Sequence, residues 1–311
     1  METYSSRIKS EIEITCASKE LKLGMLKAIY QLSSHFIATQ YGLVLKVKTK
    51  NENAKSIVEY LLKELFDIDA LTHIEKEKKL KKEDFYVIEV YQKTSVLLNE
   101  LHILESRSNP QYQLRKDLDT DDERIGYIKG AFLFNGSVND PESNNYHLEI
   151  QTFNDLIANN LKDLLLVYYI SLRVSKNRRG YFTYLKSAEQ ISDFIKILDV
   201  SDSLFYFENI RIERDLFNSI NRVMNCEISN QKRAISAARR QIDEINYIES
   251  QNYTLKKGFK DVIKLRKEYP EDSLSELSDK SLEFIGKYYS RSVINHKLRE
   301  LHVIYLTLLD K

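Results

Sequence analysis

Apolar residues recur at helical spacing across residues 18–34, where Leu21, Met25, Ala28, Ile29 and Leu32 share one face. Two strand-like runs follow, over about residues 35–40 and 42–49; in the second, Leu43, Leu45 and Val47 alternate with polar positions. Asn51 is placed to cap a helix running to Phe66. Further strand-like runs lie near residues 71–75 and 85–91, and a short helix over about 94–103 closes the set. The pattern predicts αββαββα within residues 1–110.

The same order returns after a connector at 117–123 that holds five carboxylates in seven residues. A helix over 124–135 leads into strands near Ser137 and at 146–151, a helix from Phe153 to about Tyr168, strands at 170–175 and 181–186, and a helix over 188–198. Residues 124–200 therefore read as a second copy of residues 1–110. Small residues of the two leading helices keep one register: Gly24 and Gly126, Ala28 and Gly130, and Ser34 and Gly136 each lie 102 positions apart. Small residues spaced i, i+4 let two helix axes approach closely, so these two helices are expected to pack as the seam of a pseudo-two-fold domain.

Beyond Ser201 the pattern changes. Residues 207–230 are polar, Asn-rich and interspersed with Arg, and residues 230–250 read as one long helix with Ala234, Ala237, Ala238, Ile242 and Ile245 on its apolar side. Residues 201–252 are expected to be an Asn/Arg-rich segment with a linker helix, and residues 253–311 a separate helical domain.

Composition excludes more than it assigns. Of 311 residues, 47 are Lys or Arg and 46 Asp or Glu, so the net charge of +1 names no partner. Eight Gly and three Pro exclude collagen-like and low-complexity classes. Two cysteines, Cys16 and Cys226, cannot form a disulfide framework; they suit a reducing cytosol and read as structural thiols rather than nucleophiles. The most apolar stretch, residues 164–172, is too short to span a bilayer, and the first 22 residues carry no apolar signal region, so no membrane association is expected.

The basic residues are not evenly spread. Between the third and fourth strands of the first repeat lie Lys78, Lys79, Lys81 and Lys82; the equivalent place in the second holds Lys176, Arg178 and Arg179. One such run is ordinarily a solvated loop. Two at the same topological place suggest hairpin tips that gain affinity by releasing phosphate counterions. Arg222 adds a further candidate contact, and residues 231–311 carry 16 basic against 12 acidic side chains.

The last forty residues pattern as a DNA-reading unit. Ser273 with Glu276 three residues later forms a capping-box signature. After a connector containing Gly286, Ser290 can cap a second helix whose Val293, Ile294, Leu298 and Leu301 are expected to face a core. Ser290, Arg291, Ser292, Asn295, His296, Lys297 and Arg299 are the candidate DNA contacts: Arg pairs with guanine edges or phosphates, Asn with adenine, and Ser at a helix start holds a phosphate. The six histidines form no HExxH motif or Cys/His cluster, and no phosphate-binding glycine loop is present, so neither metal nor cofactor is expected.

Several segments resemble the WhiA family of bacterial regulators: Tyr127-Ile-Lys-Gly-Ala-Phe-Leu-Phe-Asn-Gly-Ser-Val-Asn-Asp-Pro141, Tyr146-His-Leu-Glu-Ile150, Tyr184-Leu-Lys-Ser-Ala-Glu-Gln-Ile-Ser-Asp-Phe194, Asn218-Ser-Ile-Asn-Arg-Val-Met-Asn-Cys226 and Ile294-Asn-His-Lys-Leu-Arg299. The resemblance extends over nearly the whole chain. It implies an α+β fold in which a two-repeat LAGLIDADG-like domain is joined by a helical linker to an all-α helix-turn-helix domain. It further implies a cytoplasmic, nucleoid-associated, sequence-specific DNA-binding protein that controls transcription in cell division and chromosome segregation, with sporulation in some relatives. Double-stranded DNA is the expected partner, with other regulators or RNA polymerase beside it.

LAGLIDADG nucleases hold their divalent ions with a carboxylate at the end of each motif helix. Counting along the motif places Asn135 at that position in the second repeat and Ser33, 102 residues earlier, in the first. Neither is anionic, so the expectation is a nuclease scaffold kept for binding. The alternatives are an active homing-type nuclease using Asp140 or Glu149, and an N-terminal domain that mainly docks a protein or ligand.

Overall fold

The computed structural model describes residues 3–40, 42–76, 84–178 and 180–310. Two compact units divide the chain between Arg214 and Asp215. Among the described residues no helix is long and apolar enough to cross a membrane.

The first unit opens with helix α1 (Tyr4–Glu11), which the hydrophobic pattern does not indicate because its eight residues carry only two buried positions, Tyr4 and Ile8. Then come α2 (Lys19–Ser33), β1 (His35–Thr39), β2 (Gly42–Thr49), α3 (Glu52–Phe66), β3 (Leu71–Lys76) and β4 (Asp84–Val90). The expected single helix at 94–103 is instead two, α4 (Thr94–Glu100) and α5 (Ile103–Ser108). The break falls at His102, whose φ of 47° leaves the right-handed helical region while its imidazole bonds to Asp117. A short α6 (Leu114–Asp117) precedes the second repeat: α7 (Asp121–Asn135), β5 (Gly136–Val138), β6 (Leu148–Thr152), α8 (Asp155–Leu166), β7 (Arg173–Asn177), β8 (Gly180–Leu185) and α9 (Ala188–Leu198).

Each repeat folds as a four-stranded antiparallel sheet, ordered β1-β2-β4-β3 and β5-β6-β8-β7. The caps repeat as well as the strands. Ser18 and Thr120 accept from the third amide of α2 and α7, and Asn51 and Asn154 do the same for α3 and α8. Leu45, Val47, Ile88 and Val90 of the first sheet, with Leu148, Ile150 and Leu185 of the second, are buried in one core with the helices.

Helices α2 and α7 form the seam. Both run 15 residues, and the register fixes how they touch. A Cβ built on Gly24 would fall 2.1 Å from the Glu123 carbonyl oxygen, and one built on Gly126 would fall 2.0 Å from that of Leu21. Leu21 and Glu123 are themselves one repeat offset apart, so the two close approaches are equivalent. The one-sided apolar face expected for residues 18–34 is too narrow: Lys22, Lys27 and Gln31 are buried with the apolar residues, as is Lys129 on α7. A helix packed against its repeat-mate as well as against its own sheet has little solvent-facing side.

The acidic connector is consumed by structure. Asp117 accepts from Lys27 Nζ at 3.2 Å and Tyr112 Oη at 2.6 Å, Asp122 from Ser18 Oγ at 2.6 Å, and Asp121 from Tyr168 Oη at 2.6 Å. Glu123 completes the capping box of α7 with Thr120.

Helix α10 runs unbroken over Ser201–Ser250, whereas the sequence pattern predicts helix only over residues 230–250. Residues 215–233 are exposed on every side, so no buried stripe imposes a periodicity there, yet Asn and Arg do not stop the helix. The second unit adds α11 (Lys257–Glu268), α12 (Leu274–Ile285) and α13 (Arg291–Leu309). Its own core collects Ile245, Ile248, Val262, Leu265, Leu277, Ile294, Leu298 and Leu301. Cys16 and Cys226 are free and exposed, so neither thiol is packed into a core.

Candidate nucleic-acid interface

The α12–α13 unit is built by local signals. Ser273 and Glu276 form the reciprocal capping box that starts α12, and Gly286, at φ 74°, ends it in the left-handed conformation. Two hydroxyls then hold the turn: Ser278 Oγ donates to the Tyr289 carbonyl at 2.8 Å and Ser281 Oγ accepts from the Tyr289 amide at 2.9 Å. Tyr289 Oη reaches Asp261 on α11 at 2.7 Å, so the turn is fastened to all the helices around it. Ser290 caps α13 by accepting from the Val293 amide.

Ile294, Leu298 and Leu301, spaced i, i+4, i+7, are the buried stripe that seats α13. Val293, expected among them, is instead 41% exposed, because it precedes the first buried position by one residue, about 100° around the helix.

The expected contact residues separate into three groups. Ser292 and His296 are exposed; His296 pairs with Glu300 at 3.5 Å. Arg291, Asn295 and Arg299, spaced i, i+4, i+8, line a cleft of about 410 Å³ whose opposite wall is α10, with Arg233, Arg240, Gln241 and Glu244. Lys297 turns the other way and lies 4.8 Å from the Phe259 ring on α11.

Arg266, which also lines the cleft, carries no sequence signal. Arg266 of α11 is 1% exposed; its Nη1 donates to the Asp272 carbonyl at 2.6 Å and its Nε has no partner among the described residues. Burial holds its guanidinium below the ordinary value. Arg240 lies 3.6 Å from Glu244, which His302 also meets at 2.7 Å.

In the first unit, Lys176 and Arg178 are exposed on the β7–β8 hairpin, Lys176 with its Nζ 5.2 Å from the Tyr181 ring. Gly180 opens β8 at φ 126°. Arg222 is exposed on α10. Lys78, Lys79, Lys81, Lys82 and Arg179 lie outside the described residues.

Ser33 and Asn135, the two positions where a nuclease would hold its acids, meet across the seam. Ser33 Oγ donates to Asn135 Oδ1 at 2.5 Å, and Asn135 Nδ2 donates to the carbonyls of Leu32 at 3.2 Å and Gln151 at 3.0 Å. The amide is therefore fully used in hydrogen bonds. Asp140 and Glu149 are not part of this pair: Asp140 accepts from the Glu142 amide, and Glu149 meets His147. Among the described residues no group of three or more His, Cys, Asp or Glu could hold a metal ion.

Arg107 is a second residue without a sequence signal. Its guanidinium caps the end of α2, donating to the carbonyls of Tyr30 and Gln31 at 2.9 Å each, and lies 5.1 Å and 4.5 Å from the Phe36 and Phe153 rings. Burial pushes it down to about 10. It ties the end of the first motif helix to both repeats.

Three family models match the chain in series. The WhiA N-terminal LAGLIDADG-like domain covers residues 19–104, the WhiA LAGLIDADG-like domain 124–216, and the WhiA C-terminal HTH domain 220–305. The chain is 34% identical over 311 residues to the probable cell division protein WhiA of Clostridium botulinum, covering 97% of each chain. It is 33% identical over 305 residues to that of Ligilactobacillus salivarius, covering 97% of this chain and 96% of the relative. The chain belongs to the WhiA family.

The fold agrees with that membership. Full-length WhiA from Thermotoga maritima superposes with a TM-score of 0.57 at 22% identity, covering 98% of this chain and 99% of that one. The N-terminal LAGLIDADG domain of WhiA matches with a TM-score of 0.50 at 19% identity, over 64% of this chain and 91% of that domain. The WhiA helix-turn-helix match begins at residue 220, so Arg233 and Arg240 of α10 fall within it as well as α13. The stretch between the two WhiA LAGLIDADG-like matches contains Arg107 and Asp117, the residues that brace the seam.

Proposed function

We propose that this WhiA-family chain is a non-enzymatic, sequence-specific DNA-binding regulator of transcription that acts in cell division and chromosome segregation. The observation that carries the reading is the capped α12–turn–α13 unit, which holds Arg291, Ser292, Asn295, His296 and Arg299 on a rigid helix seated by Ile294, Leu298 and Leu301. A fixed helix that exposes Arg291, Ser292, His296 and Arg299 suits base edges in a major groove, with Ser290 and the helix start available to a phosphate. Lys176, Arg178 and Arg222, joined by Lys78, Lys79, Lys81, Lys82 and Arg179, would add phosphate contacts that position rather than specify.

The Ser33–Asn135 pair supports the non-enzymatic part. A neutral hydroxyl and an amide already committed to two carbonyls offer a hard divalent cation no carboxylate. Cytoplasmic, nucleoid-associated placement follows from the DNA partner, and other regulators or RNA polymerase would be met there.

Fluorescence anisotropy with promoter duplexes tests the reading. Arg291→Ala with Arg299→Ala should sharply weaken binding and lower the magnitude of the log K against log salt slope by about one for each phosphate no longer neutralised. Unchanged affinity and slope would remove α13 from the interface.

A further inference from the structure

The cleft between α10 and α13 carries more than the open side of a reading helix. Five guanidinium groups line it from three helices: Arg233 and Arg240 from α10, Arg266 from α11, and Arg291 and Arg299 from α13. Its two carboxylates are both engaged, Glu244 by His302 and Arg240, and Asp272 by Lys280 at 2.7 Å. The lining is therefore cationic beyond internal pairing.

Two further observations point to an anionic occupant. The capping box of α12 satisfies the amides of Ser273 and Glu276, which leaves those of Leu274 and Ser275 with no acceptor in the helix, and both residues line the cleft. Arg266, 99% removed from solvent, keeps an Nε at the cleft wall with no partner among the described residues. A buried N–H donor without a partner is costly, and an acceptor delivered to the cleft would relieve that cost. The volume of about 410 Å³ lies in the range of small-ligand sites.

We propose that this cleft is a phosphate-binding site, with Arg233 and Arg240 of the linking helix as ligands alongside Arg291 and Arg299. Its tetrahedral oxygens would take guanidinium donors from both walls and the two free amides at the start of α12. The phosphate comes either from the DNA backbone or from a free phosphorylated molecule; the chemistry is shared. The site shares Arg291 and Arg299 with the DNA contacts proposed above, whereas its α10 ligands, Arg233 and Arg240, lie outside that set.

Calorimetric titration of the full chain with inorganic pyrophosphate tests it, beside Arg233→Gln with Arg240→Gln. Both positions are exposed, and far-ultraviolet circular dichroism with a melting curve confirms that the variant folds. The expected result is one site per chain in the wild type and an affinity at least tenfold weaker in the variant. No binding by the wild type, or equal binding by a folded variant, overturns the proposal. Repeating the titration with saturating duplex DNA separates the sources: loss of the pyrophosphate site assigns it to the backbone, and retention assigns it to a free phosphorylated ligand. Pyrophosphate binding by a chain that binds no DNA would leave this site standing and remove the regulator reading.

Discussion

Ser33 Oγ donates a 2.5 Å hydrogen bond to Asn135 Oδ1, joining the ends of the two seam helices at positions one repeat offset apart. The Asn135 amide faces the carbonyls of Leu32 and Gln151 with both of its N–H bonds. An aspartate there would turn acceptor oxygens toward acceptor oxygens. Asn135→Asp should therefore cost about 1–3 kcal/mol at neutral pH, with the loss shrinking on acidification as the carboxyl gains a proton to donate. Urea unfolding at pH 7 and pH 4 checks it; a variant as stable as the wild type at pH 7 would mean the amide donors are dispensable.

The seam admits no added side chain. At Gly24 and Gly126 the opposing atoms are backbone carbonyls, so relief requires the helices to part. Gly24→Ala and Gly126→Ala should each destabilise by about 1–3 kcal/mol or more. Gly258→Ala is the contrast: its Cβ would meet only the flexible end of Lys297, and thermal melting should show it neutral or slightly stabilising.

Glu89 sets a pH dependence in the first sheet. Burial alone would raise its carboxyl, but hydrogen bonds from Tyr91 Oη at 2.7 Å and Lys46 Nζ at 3.1 Å prevail and hold it below the ordinary 4.5. With the folded-state value depressed, the unfolded chain binds the proton first. The stabilisation is thus present above about pH 4.5 and is lost as pH falls through the folded-state value. Glu89→Gln should lower stability at neutral pH and flatten its decline in acid, read as denaturation midpoints from pH 7 to pH 3. An unaltered acid limb would contradict the assignment.

Adjacent residues at the start of α13 should respond oppositely. Ile294 is fully buried and Val293 is 41% exposed. Ile294→Ala should cost the second unit about 2–5 kcal/mol. Val293→Ser should stay within about 0.5 kcal/mol. Amide exchange of α13 discriminates the two, and equal protection in both variants would count against this seating of the helix.

Where a buried stripe or a cap writes itself into the chain, the sequence is a sufficient guide. The 102-residue register of Gly24, Ala28 and Ser34 with Gly126, Gly130 and Gly136 announces the seam, and Ser273, Glu276 and Ser290 announce α12 and the start of α13. The elements that escape a sequence reading share a cause. Helix α1 is too short for a period, residues 215–233 of α10 bury nothing, and α11 has Lys256 at its N-cap with no side-chain cap. Arg107 and Arg266 are invisible because an isolated arginine does not declare which distant carbonyls it will meet. The connector carboxylates, which read as a run of charge, are individual hydrogen-bond acceptors.

The central claim is a nuclease scaffold that binds DNA and leaves it whole. A mobility-shift titration of the full chain with genomic duplexes in Mg²⁺, with the same samples then run under denaturing conditions, addresses both halves together. The account predicts retarded duplex whose binding weakens with salt and whose strands remain intact at every protein concentration. Mg²⁺-dependent strand cleavage, or no retarded duplex at low salt, would contradict it.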